Sequence, residues 1–552
     1  MPNPLRRALA PIAIATAIAL VYWPGLYGFW GRDDFMQLAF ARLIGSPWPL
    51  FVHDHYFPVP GSIFRPLGFA SFWLWQALFG TDYFAHAFGD MLLHVAVGLA
   101  LYRVVRVDGL ERIPAALCTL VFALHPVVLG AALWWSARFD LLAALFALLA
   151  LRAAFDHMDR PRPASLITTS VTALAALLSK ETALALIAAV AFIWLRWAWT
   201  DRAHRADAIR AIITLACVTV AFIAWRWLVL GTGTTGLIGE MSLVSAIGKG
   251  FADWFGYLAG YLSFWPRLGA IARFIVAAVA VGLAVCIVFG WRKTRSVHAS
   301  SHGVDLLISG LCLFALPAVL QAPVVALNAT PLRADFSAVE AAMQSRLYYL
   351  SIGGAVIVLS VLIRRALSSG DALKIPLLGM LALAAGMFGW VSRESAAEYA
   401  SRSLQPKTMA EGAAAAVDRL DLPAMHCHVV LLGVEPPVEW SIYVSMDAVV
   451  KALSQSLHKV DRCFIHADYV TYFNLMGGST TPVDASPYLP HEAGSAPVPW
   501  LHVGDAVIAY LDPPRGGSVE TTRGVLFLRY EGGAFRDVTS DVVDGRLPVE
   551  LR

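Results

Sequence analysis

The sequence predicts an all-α polytopic membrane domain of about eleven transmembrane helices, followed by a small α/β or mainly β domain outside the membrane. Three observations predict this architecture: the composition, a succession of long apolar runs, and a change of character near residue 392. Of the 552 residues, 58% are hydrophobic and only 15% are charged, whereas a soluble protein is nearer half apolar and a quarter charged. This composition excludes a soluble enzyme, a disordered chain and a nucleic-acid-binding protein.

The membrane domain, residues 1–392, consists of apolar runs near the length of about 20 residues that a helix needs to cross a bilayer. Two pairs of runs are almost contiguous, which predicts tight helical hairpins. The first run is interpreted as an uncleaved signal anchor because many further runs follow it. The predicted spans are 9–29, 84–102, 113–130, 132–151, 164–180, 181–198, 208–230, 271–290, 304–324, 346–363 and 374–391.

The short loops predict the orientation of these spans. Alternate loops carry clusters of arginine and lysine, and the positive-inside rule makes that side cytoplasmic. The opposite side then receives the long loops 30–83 and 231–270, the segment 325–345 and the C-terminal part. We therefore expect a multi-pass protein of the bacterial inner membrane, with a cytoplasmic N-terminus and a periplasmic C-terminal domain.

The C-terminal part, residues 393–552, is polar enough to be a soluble domain. Strand-like runs occupy 428–434, 506–512 and 524–530, and 447–460 has helical periodicity. The glycines that follow the last run suit a hairpin turn.

Two cysteines lie in this domain, Cys427 and Cys463. They either pair as a disulfide, which an oxidising outer compartment permits, or are two unrelated buried thiols.

Charged and polar residues near the outer ends of the spans indicate a functional site. Ionisable residues in membrane segments are costly and mark functional sites. Each residue alone is equally well explained as an interfacial anchor, but together they come from different pieces of chain and share one predicted depth. The set is Asp33, Asp34, Arg65, His125, Arg138, Asp140, Lys180, Glu181 and Arg346.

These side chains predict a particular chemistry. A carboxylate acts as general base toward a hydroxyl acceptor, and arginine and lysine hold a phosphate and stabilise its charge as it leaves. A polyprenyl-phosphate sugar fits such a site, because its phosphate lies at the headgroup level and its tail lies in the bilayer. The expected partners are thus the lipid bilayer, this donor and a glycan, lipid or protein acceptor, but no nucleic acid.

Six segments, in order along the chain, resemble elements of the GT-C superfamily of integral-membrane glycosyltransferases. The resemblance is to the transmembrane-and-tetratricopeptide O-mannosyltransferases and their bacterial relatives. It covers the membrane domain only. The segments are FWGRDDF (29–35), FRPL (64–67), DYFAHAFGDMLLH (82–94), HPVVLGAALWWSARFDLLAALFALLAL (125–151), LLSKE (177–181) and QSRLYYLS (344–351).

The resemblance implies an inverting transfer of a sugar from a polyprenyl-phosphate carrier to an acceptor on the outer face, without a metal cofactor. It implies that Asp33 is the catalytic base or a carboxylate that orients the acceptor, with Asp34 beside it as a second catalytic residue. A divalent ion, used by the oligosaccharyltransferase branch, is the less favoured alternative. The resemblance assigns the lipid phosphate to Arg65, Arg138, Lys180 and Arg346, the positioning of those cations to Asp140 and Glu181, and a donor contact to His125.

Two residues depart from the family pattern. Asp90 stands where asparagine is usual, and Gln344 stands where a glutamate often precedes the Arg-Leu-Tyr element. The C-terminal part also lacks tetratricopeptide repeats, so protein mannosylation does not carry over to this chain.

Other functions are open at this stage. An outer-leaflet glycan ligase or polymerase uses the same kind of donor but lacks the Asp-Asp element. A flippase or transporter of lipid-linked sugars requires polar residues at the bilayer midplane and interrupted helices. His53, Asp54 and His55 form either a metal site or, as we prefer, an ordinary loop.

Overall fold

The computed structural model describes two compact units. The first comprises Met1–Tyr27, Ala87–Arg226 and Glu240–Tyr399, and the second comprises Gly28–His86, Trp227–Gly239 and Ala400–Arg552. The predicted division after residue 392 stays a prediction. The structure describes residues 4–31, 33–53, 63–231, 243–264, 268–293, 301–328, 331–422, 427–434, 446–461, 463–467, 500–503, 506–509, 525–544 and 546.

Most of the described chain is helical. The helices are α1 Pro4–Tyr22, α2 Asp33–Leu43, α3 Pro66–Phe79, α4 Tyr83–Val105, α5 Arg112–Ala123, α6 Leu129–Leu133, α7 Arg138–Asp159, α8 Pro163–Ser179, α9 Leu184–Thr200, α10 Arg205–Leu230, α11 Leu243–Ser263, α12 Ala270–Lys293, α13 Ser301–Asn328, α14 Ala338–Ser345, α15 Tyr349–Leu367, α16 Lys374–Leu404, α17 Lys407–Asp418, α18 Met446–Leu453, α19 Leu457–Val460 and α20 Thr539–Val543. The strands are β1 Cys427–Leu432, β2 Cys463–Ala467, β3 Trp500–Val503, β4 Ala506–Ala509, β5 Val525–Glu531 and β6 Ala534–Asp537.

The chain is a multi-pass membrane protein, as predicted. Among the described residues, seven helical segments are long and apolar enough to cross a membrane, and a bent pair raises the number to eight. The predicted count of eleven is therefore not confirmed. The segments are Ala8–Tyr27, Tyr83–Val105, Glu181–Thr200, Arg205–Leu230, His302–Ala322, Glu340–Leu367 and Lys374–Asp418.

The predicted span at 113–130 is bent and is not a single straight helix. The chain bends by 55° between Arg112–Ala123 and Pro126–Leu133, because Pro126 has no backbone N–H to continue the helix. The predicted loops 30–83 and 231–270 also contain helices, namely α2 and α3 in the first and α11 in the second. Apolar periodicity reports burial and does not distinguish a straight span from one broken by a proline.

A close helix crossing and an ion pair between helices hold parts of the first unit together. Glycines permit a close crossing of α13 and α15, because a Cβ at Gly354 would lie 2.4 Å from the backbone nitrogen of Phe314. An ion pair joins α9 to α13, where Nη2 of the partly exposed Arg196 lies 2.7 Å from Oδ2 of Asp305. The charge of Asp305 is fully buried and therefore requires this partner.

The C-terminal sheet of the second unit confirms the α/β alternative. Its strand order is β2-β1-β5-β6, with β1 parallel to both β2 and β5, while β5 and β6 form the predicted hairpin. Strands β3 and β4 form a separate antiparallel pair. Residues 510–512 and 524 of the predicted strands lie outside the described residues.

The helix predicted at 447–460 is interrupted. It consists of α18 and α19, separated at Ser454–Ser456. The carboxylate of Asp418 accepts the backbone N–H of Gln455 at 2.7 Å and that of Ser456 at 3.2 Å. This interaction with the backbone competes with the helical hydrogen bonds and ends α18.

A buried ion pair attaches α18 to the sheet. Lys451 Nζ lies 2.8 Å from Oδ1 of Asp447 and donates to the carbonyl oxygen of Cys463 at 2.8 Å. The same Oδ1 accepts the N–H of Ile465 at 2.9 Å. Burial lowers the pKa of the Lys451 amine, and the charge of Asp447 opposes this shift.

The backbones of Cys427 and Cys463 are direct partners in the register of β1 and β2. Cys463 is disulfide-bonded, whereas Cys118, Cys217, Cys286 and Cys312 are free.

We predict that Asp447→Asn destabilises the second unit by about 3–5 kcal/mol, because it removes the carboxylate with which the buried Lys451 forms its ion pair. The unfolding midpoint of the purified protein measures the loss. Asp541→Asn is the matched control, because Asp541 is half exposed in its pair with Arg546. Equal midpoints for the two variants would contradict this account of the ion pair.

Candidate active site

The segment between α5 and α7 places the charged residues of the first unit. After α5 the chain forms a 3₁₀ turn at Pro126–Val128, the short helix α6 and a second 3₁₀ turn at Trp135–Ala137. Every residue from His125 to Asp140 is buried. The first turn of α7 therefore delivers Arg138 and Asp140 into the interior of the unit.

Arg138 is paired with Asp90 of α4. Nε of Arg138 lies 2.6 Å from Oδ1 of Asp90, and the two side chains are 1% and 0% exposed. The guanidinium also lies 5.5 Å from the ring centroid of Trp135. Oδ2 of Asp90 is buried and has no hydrogen-bond partner among the described residues.

Lys180 is paired with Asp140. Helix α8 ends at Ser179, and Lys180 has extended backbone before the 3₁₀ turn Glu181–Ala183. Nζ of Lys180 lies 2.6 Å from Oδ1 of Asp140, with side chains that are 6% and 9% exposed. Glu181, beside it, is half-buried.

Arg346 lies against the same segment. It begins the 3₁₀ turn between α14 and α15, donates from Nη1 to the carbonyl of Met343 at 2.6 Å, and lies 4.3 Å from the ring centroid of Trp134. A capping box between Ser337 and Glu340 fixes the start of α14. Adjacent tryptophans thus contact Arg346 and Arg138.

His125 holds the break between α5 and α6 in place. Its Nδ1 accepts the N–H of Val127 at 3.1 Å, so the neutral ring carries its proton on Nε2. Nε2 then donates to the carbonyl of Leu262 in α11 at 2.8 Å. The imidazole therefore has both nitrogens engaged within the protein, and the donor contact that the resemblance implies for His125 stays a prediction.

The predicted catalytic carboxylates, Asp33 and Asp34, lie in the second unit and differ from each other in burial. Both lie in the first turn of α2, where the helix dipole favours negative charge. Asp34 is fully buried, and its Oδ2 accepts the N–H of Gly31 at 3.3 Å. Asp33 is only half-buried. Arg65 is the N-cap residue of α3, directly before Pro66.

The structure thus brings together Arg138, Asp140, Lys180 and the half-buried Arg346 as a charged row in the first unit, with Trp134 against Arg346 and Trp135 against Arg138. Asp33, Asp34 and Arg65 belong to the second unit.

Sequence reasoning missed the role of Asp90, which holds Arg138. The available signal was a carboxylate inside a predicted span, which requires a partner.

His53 is exposed, and Asp54 and His55 lie outside the described residues. Within the part of the chain that is described, no group of three His, Cys, Asp or Glu side chains is arranged to hold a metal ion.

Comparison with known proteins gives structural but no sequence matches. No family model and no curated protein matches the chain. The chain is similar to the Archaeoglobus fulgidus oligosaccharyltransferase crystallised with zinc and sulfate, with a TM-score of 0.48 and 12% identity over 81% of this chain. It spans only 62% of that protein's length.

Two further structures show likeness of the same order. ArnT from Cupriavidus metallidurans bound to undecaprenyl phosphate has a TM-score of 0.46 and 12% identity, covering 81% of this chain and 85% of that one. The arabinosyltransferase EmbB from Mycobacterium smegmatis has a TM-score of 0.41 and 14% identity, covering 72% and 42%. All three neighbours are glycosyltransferases of the GT-C type.

We predict that Gly130→Ala disturbs the charged row. A Cβ at Gly130 would lie 1.8 Å from the carbonyl oxygen of Ala342, so α6 and α14 must separate at a cost of about 1–3 kcal/mol. The unfolding midpoint in detergent measures the loss. Gly386→Ala is the control, because its Cβ meets no atom within 4 Å. A midpoint at or above that of the control would show that α6 and α14 tolerate the methyl group.

Proposed function

We propose that the protein transfers a sugar from a polyprenyl-phosphate donor to a hydroxyl acceptor on the outer face of a bacterial inner membrane. The observation that carries the proposal is the charged row, in which Arg138 and Lys180 are buried and paired with carboxylates and the half-buried Arg346 lies against Trp134. Burying charges is costly, and such residues in membrane segments mark functional sites.

The cations of the row are the proposed phosphate ligands. Lys180 and Arg346 are each directed by a neighbouring oxygen, from Asp140 and the carbonyl of Met343 respectively. Because their positions are fixed before the donor arrives, little reorganisation is needed when charge develops on the phosphate. Arg138, held by Asp90, completes the cationic set, and Arg65 is a further proposed ligand.

Asp33 is the proposed base. Of the two carboxylates at the start of α2, Asp34 is buried and accepts a backbone N–H, which suits a structural role. Asp33 is half-buried and therefore the more accessible to a substrate hydroxyl. Its assignment rests on this difference and on the resemblance of the Asp-Asp element.

The proposed reaction balances as a single displacement. The acceptor oxygen forms a bond to the anomeric carbon as the bond between that carbon and the phosphate oxygen breaks. The acceptor proton passes to the carboxylate of Asp33. The phosphodiester leaves as a phosphomonoester with one more negative charge, which the cations stabilise. The displacement inverts the anomeric configuration, and no metal ion takes part in it as proposed.

The test is a transfer assay with radiolabelled polyprenyl-phosphate sugars and a membrane extract as acceptor. We expect Asp33→Asn to lower transfer by about 10²-fold or more, because it removes the base. Binding of the polyprenyl phosphate is expected to stay unchanged, since the proposed cations are intact. Asp82→Asn is the control, because Asp82 is an exposed carboxylate of the same unit.

Transfer at the wild-type rate by Asp33→Asn would refute the proposed base. Donor binding by the wild-type protein without release of any sugar would refute the transferase and favour a flippase.

A further inference from the structure

We infer that Arg42 is a positioning residue that holds α2, and with it Asp33, against the C-terminal α/β domain. The role given to Asp33 rests on the proposed function, whereas the attachment of α2 rests on the structure alone. Helix α2 is 11 residues long, with the carboxylates in its first turn and Arg42 in its last. Its two ends therefore bear the base and the anchor.

Arg42 anchors α2 through three hydrogen bonds. Nη1 of Arg42 donates to the carbonyls of Lys451 at 3.0 Å and Ala452 at 2.6 Å, and Nη2 donates to that of Ser454 at 2.7 Å. These carbonyls are at the C-terminal end of α18, where a helix leaves its oxygens without intrahelical donors. A cation at this end also interacts favourably with the helix dipole. Arg42 thus caps a helix distant in sequence.

Helix α18 is itself fixed to the sheet. Lys451, whose carbonyl accepts from Arg42, directs its amine to Asp447 and to the carbonyl of Cys463 in β2. Asp418 holds the other side of the capped end through Ser454 and Gln455. A continuous set of hydrogen bonds therefore connects α2 to β2, the edge strand of the sheet.

This connection gives the C-terminal domain a function in catalysis without contact with substrate. Loss of the guanidinium leaves three carbonyls without their donors and frees the C-terminal end of α2. A displacement of about 1 Å at a reacting group costs on the order of 10²-fold in rate. Arg42 is therefore expected to affect turnover rather than donor binding.

The experiment compares Arg42→Gln, Arg42→Lys and the control Arg546→Gln in the full-length protein. Arg546 is an exposed arginine of the same unit, paired with Asp541 and Asp544. Hydrogen exchange of the α2 amides reports its attachment, and steady-state kinetics with a radiolabelled polyprenyl-phosphate sugar report catalysis. We expect exchange in α2 to be at least tenfold faster in Arg42→Gln, kcat to fall tenfold or more, and KM for the donor to stay within twofold. Arg42→Lys keeps the charge but not the two-pronged set of guanidinium donors. Its exchange rate in α2 and its kcat are expected to lie between those of the wild-type protein and Arg42→Gln.

Two results would overturn the inference. Exchange in α2 equal to that of the control would show that Arg42 does not hold the helix. A parallel loss of kcat and donor binding would show general misfolding instead of positioning. If the wild-type protein transfers no sugar, the proposed function falls, and the exchange measurement still decides whether Arg42 anchors α2.

Discussion

The pairing of Asp140 with Lys180 is the interaction on which the first unit depends most. Both charges lie in an apolar helical environment and are nearly inaccessible, so neither is tolerable without the other. The pair joins the start of α7 to the turn between α8 and α9. The same requirement joins Arg138 to Asp90 of α4. The cost of burying charge thus dictates both the helix arrangement and the position of the candidate phosphate ligands.

Broken helices make this arrangement possible. The 55° bend and the two short 3₁₀ turns lie between α5 and the first turn of α7, where Arg138 meets Asp90. His125 and the close contact at Gly130 stabilise the break. In the second unit, hydrogen bonds from Arg42 and Lys451 fix the position of α2 relative to the sheet.

Much of the fold was predictable because burial in a bilayer leaves a strong apolar signal. The membrane domain, the small α/β domain and the hairpin at β5 and β6 follow from composition and periodicity. The interruption at Ser454 was missed because it depends on a contact with the distant Asp418. The bend at Pro126 was missed although the proline that breaks the helix is visible in the sequence. His125 is held by Leu262, and the Ser454 loop is held by Asp418.

For the site, the sequence identified Arg138, Asp140, Lys180 and Arg346 within a larger set that shared one predicted depth and also included Asp33, Asp34, Arg65, His125 and Glu181. It did not identify their pairing, because a span position alone does not say which carboxylate a cation meets. Asp90 was noticed only as a departure from the family pattern, although the cost of a buried carboxylate implied a partner. The contribution of Arg42 was likewise invisible, since its acceptors are backbone carbonyls more than 400 positions away.

The most direct test of the account is an experimental structure of the protein with a polyprenyl-phosphate sugar bound. The account predicts that the donor phosphate lies about 3 Å from Nζ of Lys180 and from the guanidinium of Arg346, as charge-assisted hydrogen bonds require. A phosphate bound elsewhere, with Lys180 and Arg346 contacting only protein atoms, would contradict the assignment of the charged row to the donor.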